Sequence, residues 1–253
     1  MKSILSLQNE LIKQVKSLHN SKGRQEHGLF IAEGLRNIES LIAGKSILKY
    51  LFYTENSSDL LEPAAAIISE KYPEAPLILI GPEVMHKIST AESPAGFLAV
   101  FAIPNVDQVD LTPGVVLAQI ADPGNMGTLI RTAAAMGYET VVVVEGCDPW
   151  NPKVVQASAG TIGDVNIFKL TWQELETQKK ALKLCALVVK EGQNPKDLDF
   201  SHSLIVVGNE AHGLPDEWIA NCEQQMTIPM PGNTESLNAA MAGGIALYLS
   251  KFN

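Results

Sequence analysis

Ile228-Pro229-Met230-Pro231-Gly232-Asn233-Thr234-Glu235-Ser236-Leu237-Asn238 runs straight into an apolar, small-residue stretch ending near Tyr248. Pro229, Pro231 and Gly232 forbid regular structure. The segment therefore reads as a strand, a stiff loop and a helix. Glu235, Ser236 and Asn238 crowd the expected helix start. Leu237, Met241, Gly244, Ile245 and Tyr248 follow at spacings of three and four, the signature of an amphipathic helix. Ala239 with Gly243, and Ala240 with Gly244, form two small-residue faces that admit close backbone approach. A plain N-capped helix, with Ser236 or Thr234 as cap, is the competing structural reading. A packed core alone does not ask for so many polar groups at one helix mouth.

Two upstream segments strengthen a functional reading. The first is Ala121-Asp122-Pro123-Gly124-Asn125-Met126-Gly127-Thr128-Leu129-Ile130-Arg131, continuing to Gly137. A strand ends at Ile120, a Pro-Gly-Asn turn opens a helix with Asn125 available as cap, and Gly137 stops it. Arg131 lies six residues past Asn125, long enough to reach back to the strand ends where α/β folds place ligands. The second is Val206-Val207-Gly208-Asn209-Glu210-Ala211-His212-Gly213-Leu214-Pro215. Gly208 lets a ligand lie against the backbone. Glu210 ends a hydrophobic strand, where a carboxylate needs a partner, and Arg131 is the expected one. His212 reads as a loop residue. Asn151-Pro152-Lys153-Val154-Val155-Gln156-Ala157-Ser158-Ala159-Gly160 reads as a proline-started helix closed by a small turn.

Other chemistries find no support. Gly124-Asn125-Met126-Gly127 lacks the G-x-G-x-x-G spacing, and no G-x-x-x-x-G-K-[ST] loop exists in the chain. Cys147, Cys185 and Cys222 are odd in number and widely spaced, so they form neither a disulfide framework nor a zinc pattern. No metal site is expected. No apolar run approaches a membrane span, and the start lacks the features of a signal peptide, so a reducing cytoplasm is the expected compartment.

The 253-residue chain alternates strand-like and helical runs, which predicts two α/β units with sheets covered by helices. In the first, a helix over roughly 5–20 precedes strands at Leu29–Ala32, Leu48–Tyr53, Leu77–Ile80 and Phe97–Ala102, with helices around Leu35–Ala43, Leu60–Lys71 and Pro82–Ile88 between them. Residues 104–113 are acidic and proline-bracketed, and read as a linker between a domain at 1–103 and one at 114–253. The second unit's strands are expected at Val115–Ile120, Thr140–Val144, Asn166–Lys169, Leu184–Val189, Leu204–Val207 and Gln225–Ile228.

The net charge of −9 argues against a general polyanion binder. Before Gly28, however, Lys2, Lys13, Lys16, Lys22 and Arg24 outnumber Glu10 and Glu26, so the N-terminal segment is locally basic.

Together these residues resemble the SpoU-type (TrmH-like) branch of the SPOUT RNA methyltransferases. The family's first motif is matched by Asn125, Gly127, Arg131 and Gly137. The second is matched by Gly208-Asn209-Glu210 with Gly213-Leu214, and the third by Ile228-Pro229-Met230 through Ser236-Leu237-Asn238. The first unit, with Gly28 to Gly34, is similar to the L30e-like substrate-binding domain that often precedes such a catalytic domain.

The resemblance implies S-adenosyl-L-methionine-dependent methyl transfer to a ribose 2'-OH of RNA. It also implies a deep trefoil knot near the C-terminus and a homodimer. Large-subunit (23S) ribosomal RNA is the favoured substrate, and transfer RNA the alternative. A catalytically silent RNA-binding or ribosome-assembly factor is the competing class. Carried over residue by residue, Arg131, Asn125, Glu210, Ser236 and Asn238 form the catalytic set. Gly208, Asn209, Ile228, Met230 and Leu237 hold the cofactor. Lys16, Lys22 and Arg24 are the expected RNA contacts.

Overall fold

The computed structural model describes residues 2–60, 67–68, 70–106, 108–232 and 235–252. Two compact units form, one from Met1–Asn105 with Trp150–Asp164, the other from Val106–Pro149 with Val165–Asn253.

The first unit carries a five-stranded sheet in the order β1-β4-β3-β5-β2, from β1 (Lys2–Ile4), β2 (Leu29–Glu33), β3 (Leu48–Tyr53), β4 (Leu77–Ile80) and β5 (Phe97–Ala102). β1, β4 and β3 run parallel, and β5 runs antiparallel to both β3 and β2. One face is covered by α1 (Glu10–Ser17) through Ile12 and Val15, and by α4 (Pro82–Ile88) through Val84, Met85 and Ile88. The helix expected over 5–20 is present as the shorter α1, with β1 before that span and a further helix, α2 (Ser21–His27), after it. Asn9 and Asn20 are the reason: each side chain accepts a backbone N–H and starts a new helix, from Leu11 N and Gly23 N respectively. α3 (Leu35–Ala43) falls where the sequence places it. The helix expected at 60–71 lies largely outside the described residues.

Residues 150–164, read from sequence as part of the second domain, pack with the first unit. Trp150 sets its ring 4.8 Å from Phe30, which also stacks on Phe101 at 5.6 Å. Asn37 donates to Gln156 Oε1 at 2.7 Å, and Lys45 N to Gly163 O at 3.1 Å.

The second unit is a six-stranded, wholly parallel sheet in the order β11-β9-β10-β6-β7-β8. The strands are β6 (Gly114–Ala118), β7 (Thr140–Val144), β8 (Asn166–Leu170), β9 (Lys183–Leu187), β10 (Ser203–Val207) and β11 (Gln224–Met226). Every residue of β6, β7 and β10 is buried, as parallel strands covered on both faces require. The expected linker is not wholly free: Leu111 joins this core, and Thr112 Oγ1 lies 2.8 Å from Thr140 Oγ1. The chain leaves β6 toward β7 on one side and returns through β10 on the other. The carboxyl ends of β6 and β10 thus meet at a topological switch point, the place where such sheets bind ligands. Among the described residues, no helix is long and apolar enough to cross a membrane.

Candidate active site

The loop after β6 enters α5 (Pro123–Ala135). Asp122 caps it, accepting from Asn125 N at 2.8 Å. Sequence reading gave that role to Asn125. Asp122 takes it because Pro123 holds the first helical position and sets the aspartate one residue before it. Asn125 is thereby freed. Its Nδ2 donates to Glu210 Oε1 at 3.0 Å, and its Oδ1 accepts from Asn238 Nδ2 at 3.1 Å. Glu210 also accepts from Ala121 N and Asp122 N, each at 3.2 Å. Asn238 Oδ1 in turn accepts from Ala240 N and Met241 N at 2.9 and 3.1 Å, capping α9 (Ala239–Phe252). Asn238, rather than Ser236, is therefore the cap; Thr234 lies outside the described residues. Glu210, Asn125 and Asn238 form one relay joining all three sequence motifs.

The expected Arg131–Glu210 pair does not form. The carboxylate is occupied by one amide and two backbone donors, and Arg131 is exposed with no hydrogen bond or ion pair among the described residues. Asn125, Thr128 and Arg131 recur every three residues on the helix face opposite buried Met126, Leu129, Ile130 and Ala133. Helical side chains lean toward the N-terminus, so Arg131 inclines toward the relay, ~9 Å of helix below it at 1.5 Å per residue. Desolvation raises the Glu210 pKa, but the bonds from Asn125 and the backbone outweigh it and hold the carboxyl below its usual range. Cys147, 3.5 Å from Met126 Sδ, is pushed up to about 11, first by burial and then by the charges of Asp148, Glu210 and Asp122. It stays a thiol and offers no nucleophile at neutral pH.

Beside the relay, a cavity of about 290 Å³ opens over the carboxyl ends of β9 and β10. Gly208, Asn209, Ile228, Met230, Ser236 and Leu237 line it, so the sequence-predicted cofactor residues come together. A Cβ on Gly208 would stand 2.6 Å from Gly213 C, which makes glycine obligatory where the strand turns back on the loop. The Asn209 side chain is consumed by the fold: it donates to Gln119 O and accepts from Ala211 N and His212 N. Leu187, Val188 and Val189 form a wall the motif reading missed. The signal was available, because β9 neighbours β10 and ends at the same edge. Apolar walls, a glycine turn and polar groups at one end fit a cofactor with a flat ring and a charged tail.

α9 buries Ala240, Gly243, Ala246 and Leu247, and a Cβ on Gly243 would stand 2.4 Å from Leu129 Cδ2 of α5. The stripe that periodicity selected points outward instead, with Met241 59% and Tyr248 55% exposed and Phe252 beyond them at 66%. Ala240, Gly243 and Ala246 share the inner face with Leu247, and Gly243 is the point at which α9 comes closest to Leu129 of α5.

Lys16 and Lys22 are exposed, as RNA contacts require. Arg24 is not: it is 2% exposed and its Nη1 donates to Leu18 O at 2.8 Å. That guanidinium satisfies a carbonyl just past the end of α1 and serves the fold.

The SpoU rRNA Methylase family matches residues 113–248, and the MRM3-like substrate binding domain matches residues 9–99. An uncharacterized tRNA/rRNA methyltransferase (slr1673) of Synechocystis is 33% identical over 97% of this chain and 92% of its own length. The 23S rRNA (guanosine(2553)-2'-O)-methyltransferase RlmP of Bacillus subtilis is 26% identical over 98% of both chains. An AdoMet-bound rRNA methyltransferase from Sinorhizobium meliloti superposes with a TM-score of 0.85 at 26% identity, covering 98% of this chain and 97% of that one.

Proposed function

The chain belongs to the SpoU rRNA methylase family, and from that premise we propose that it is an S-adenosyl-L-methionine-dependent methyltransferase acting on a ribose 2'-OH of RNA, with 23S ribosomal RNA as substrate. The observation that carries this reading is the Glu210–Asn125–Asn238 relay standing between the cavity over β9 and β10 and the open Arg131. The similarity to RlmP, named for large-subunit rRNA, favours that substrate over transfer RNA.

The cofactor supplies an electrophilic methyl group on a sulfonium with a good leaving group. Leu187, Val188, Ile228, Met230 and Leu237 would wall it, with backbone groups at Gly208 and Leu237 binding its polar edges. The protein's task is to align a weak nucleophile and stabilise the charge that develops on it. Arg131 is assigned to the 2'-OH. Its guanidinium is effectively always charged, so it orients the hydroxyl and stabilises the forming alkoxide rather than taking its proton. That proton leaves through substrate phosphate or water. Asn125 and Glu210 fix the helix mouth, and Ser236 and Asn238 hold the third motif beside the substrate.

A homodimer completes the reading, with the second copy seated on the exposed Met241–Tyr248–Phe252 face of α9. Its compartment is the cytoplasm. A knotted C-terminal path is part of the same assignment. Its support is the family match over residues 113–248. The two-domain division at 104–113 is retained for folding units, with 150–164 acting in the first.

The deciding test is radiolabelled methyl transfer from S-adenosyl-L-methionine to ribosomal and transfer RNA pools from cells lacking this protein. Alkali-stable 2'-O-methyl label in 23S rRNA, lost in Arg131→Ala, is the expected result. Cofactor binding with no label in any pool would leave the silent RNA-binding class.

A further inference from the structure

A second cavity, of about 510 Å³, lies within the first unit, between the end of β2, the loop after α4 and the start of α6 (Pro152–Ala157). Its frame is fixed. Glu33 Oε1 accepts from Thr90 N at 2.7 Å and Thr90 Oγ1 at 2.5 Å, while Oε2 accepts from Ser89 Oγ, so the carboxylate is spent on holding the loop. On the other wall, Asn37, itself 8% exposed, donates to Gln156 Oε1. That bond turns the Gln156 amide so that its Nε2 has no acceptor among the described residues. Lys153 is exposed with no ion pair or side-chain hydrogen bond among the described residues. Ala91, Ala95 and Ala157 provide small apolar surface between these donors.

We propose that this cavity takes one unstacked nucleotide of the substrate RNA, its phosphate on Lys153 and its base against the alanines with an acceptor edge on Gln156 Nε2; this rests on the RNA reading above. The donor set asks for an acceptor-rich ligand, and the alanine surface asks for one with a flat apolar body. The volume lies within the range of small-ligand pockets, which admits one nucleotide and excludes a duplex. Proteins read RNA mainly through such splayed single-stranded nucleotides. The cavity also draws on both matched families: Ile31 to Ala95 fall within the substrate-binding match and Pro152 to Ala157 within the methylase match. A free metabolite site would have no need of that shared wall.

The test uses the full chain with 4-thiouridine-substituted 23S rRNA. Photocrosslinking should map to peptides containing Thr90–Ala95 or Lys153–Ala157, and millimolar nucleoside monophosphate should not abolish it. Lys153→Gln and Gln156→Ala should each raise KM for RNA by about 10-fold, with kcat and cofactor Kd unchanged. Lys153→Gln should also reduce the salt slope of binding by about 0.7, the loss of one single-strand phosphate contact. Ala91→Phe, in an exposed loop, should fill the cavity and raise KM similarly. Wild-type methylation of rRNA, with all three variants within twofold and crosslinks mapping elsewhere, would overturn the proposal. Full displacement by the free nucleotide would reassign the cavity to a metabolite and overturn it too. Crosslinking needs no methyl transfer, so it decides the cavity even if the wild type labels no RNA, which would refute the activity itself.

Discussion

At the carboxyl edge of the second unit's sheet, polar side chains are turned on one another. Glu210, Asn125, Asn238, Asn209 and Asp122 each have hydrogen bonds inside the protein, while Arg131 is left open among the described residues. Beside β2 in the first unit the balance is reversed. One carboxylate, Glu33, holds the frame, while Lys153 and the Gln156 amide face out with open donors. The difference separates two kinds of work. A reaction needs a few atoms held to fractions of an ångström, so the structure commits most of its polar groups to positioning. Recognition of a flexible strand tolerates looseness, so donors are left for the ligand to satisfy.

The comparison breaks most decisively at Arg131. Arg131→Ala should lower kcat by about 10²–10³, the usual cost of losing one transition-state donor, with cofactor binding intact. Arg131→Lys should recover part of that rate without a new pH dependence. Activity that returns only above the lysine pKa would mark the residue as a base.

Asn125→Ala and Glu210→Gln should each lower kcat by about 10-fold or more through misplacement of the helix mouth. The double variant should fall far short of the product of the two, because they share one hydrogen bond. Additive losses would show that the relay is not a unit.

Gly243→Val tests the packing on which that precision rests. It should cost about 1–3 kcal/mol as overpacking against Leu129, read as a lower Tm with no change in RNA binding. Phe252→Asp, on the opposite face of the same helix, should instead shift the sedimentation coefficient toward a monomer and leave the monomer folded.

The smallest effect concerns pH. The folded pKa of Glu210 is lowered, so its contribution to stability is present above the unfolded value and fades as pH falls through the folded one. The Tm advantage of wild type over Glu210→Gln should therefore be flat above about pH 5 and narrow below the usual carboxylate range. An advantage that vanished near neutrality would place Glu210 in a quite different environment.

Local features were legible in the chain. Continuous apolar runs located β7 and most of β10 and, with Gly and Pro punctuation, β3, β4 and β5. The same punctuation placed α3, α4 and the opening of α5. Motif spacing singles out Asn125, Glu210 and Asn238. The short β1 and the helix α2 escaped: residues 21–27 carry no apolar residue and so no helical period, and α2 is started by the Asn20 side chain accepting from Gly23 N.

What the sequence determined by itself was the order of elements and the chemical inventory at the strand ends, because periodicity and turn chemistry act over a few residues. Tertiary structure alone decided which groups meet. Asn125 reaches Glu210 across 85 residues and Asn238 across 113, Arg24 turns inward to a carbonyl, α9 buries its small face rather than its bulky one, and residues 150–164 join the first unit. Each is a competition among long-range partners settled by packing density and hydrogen-bond satisfaction, and neither quantity is written in any local stretch of the chain.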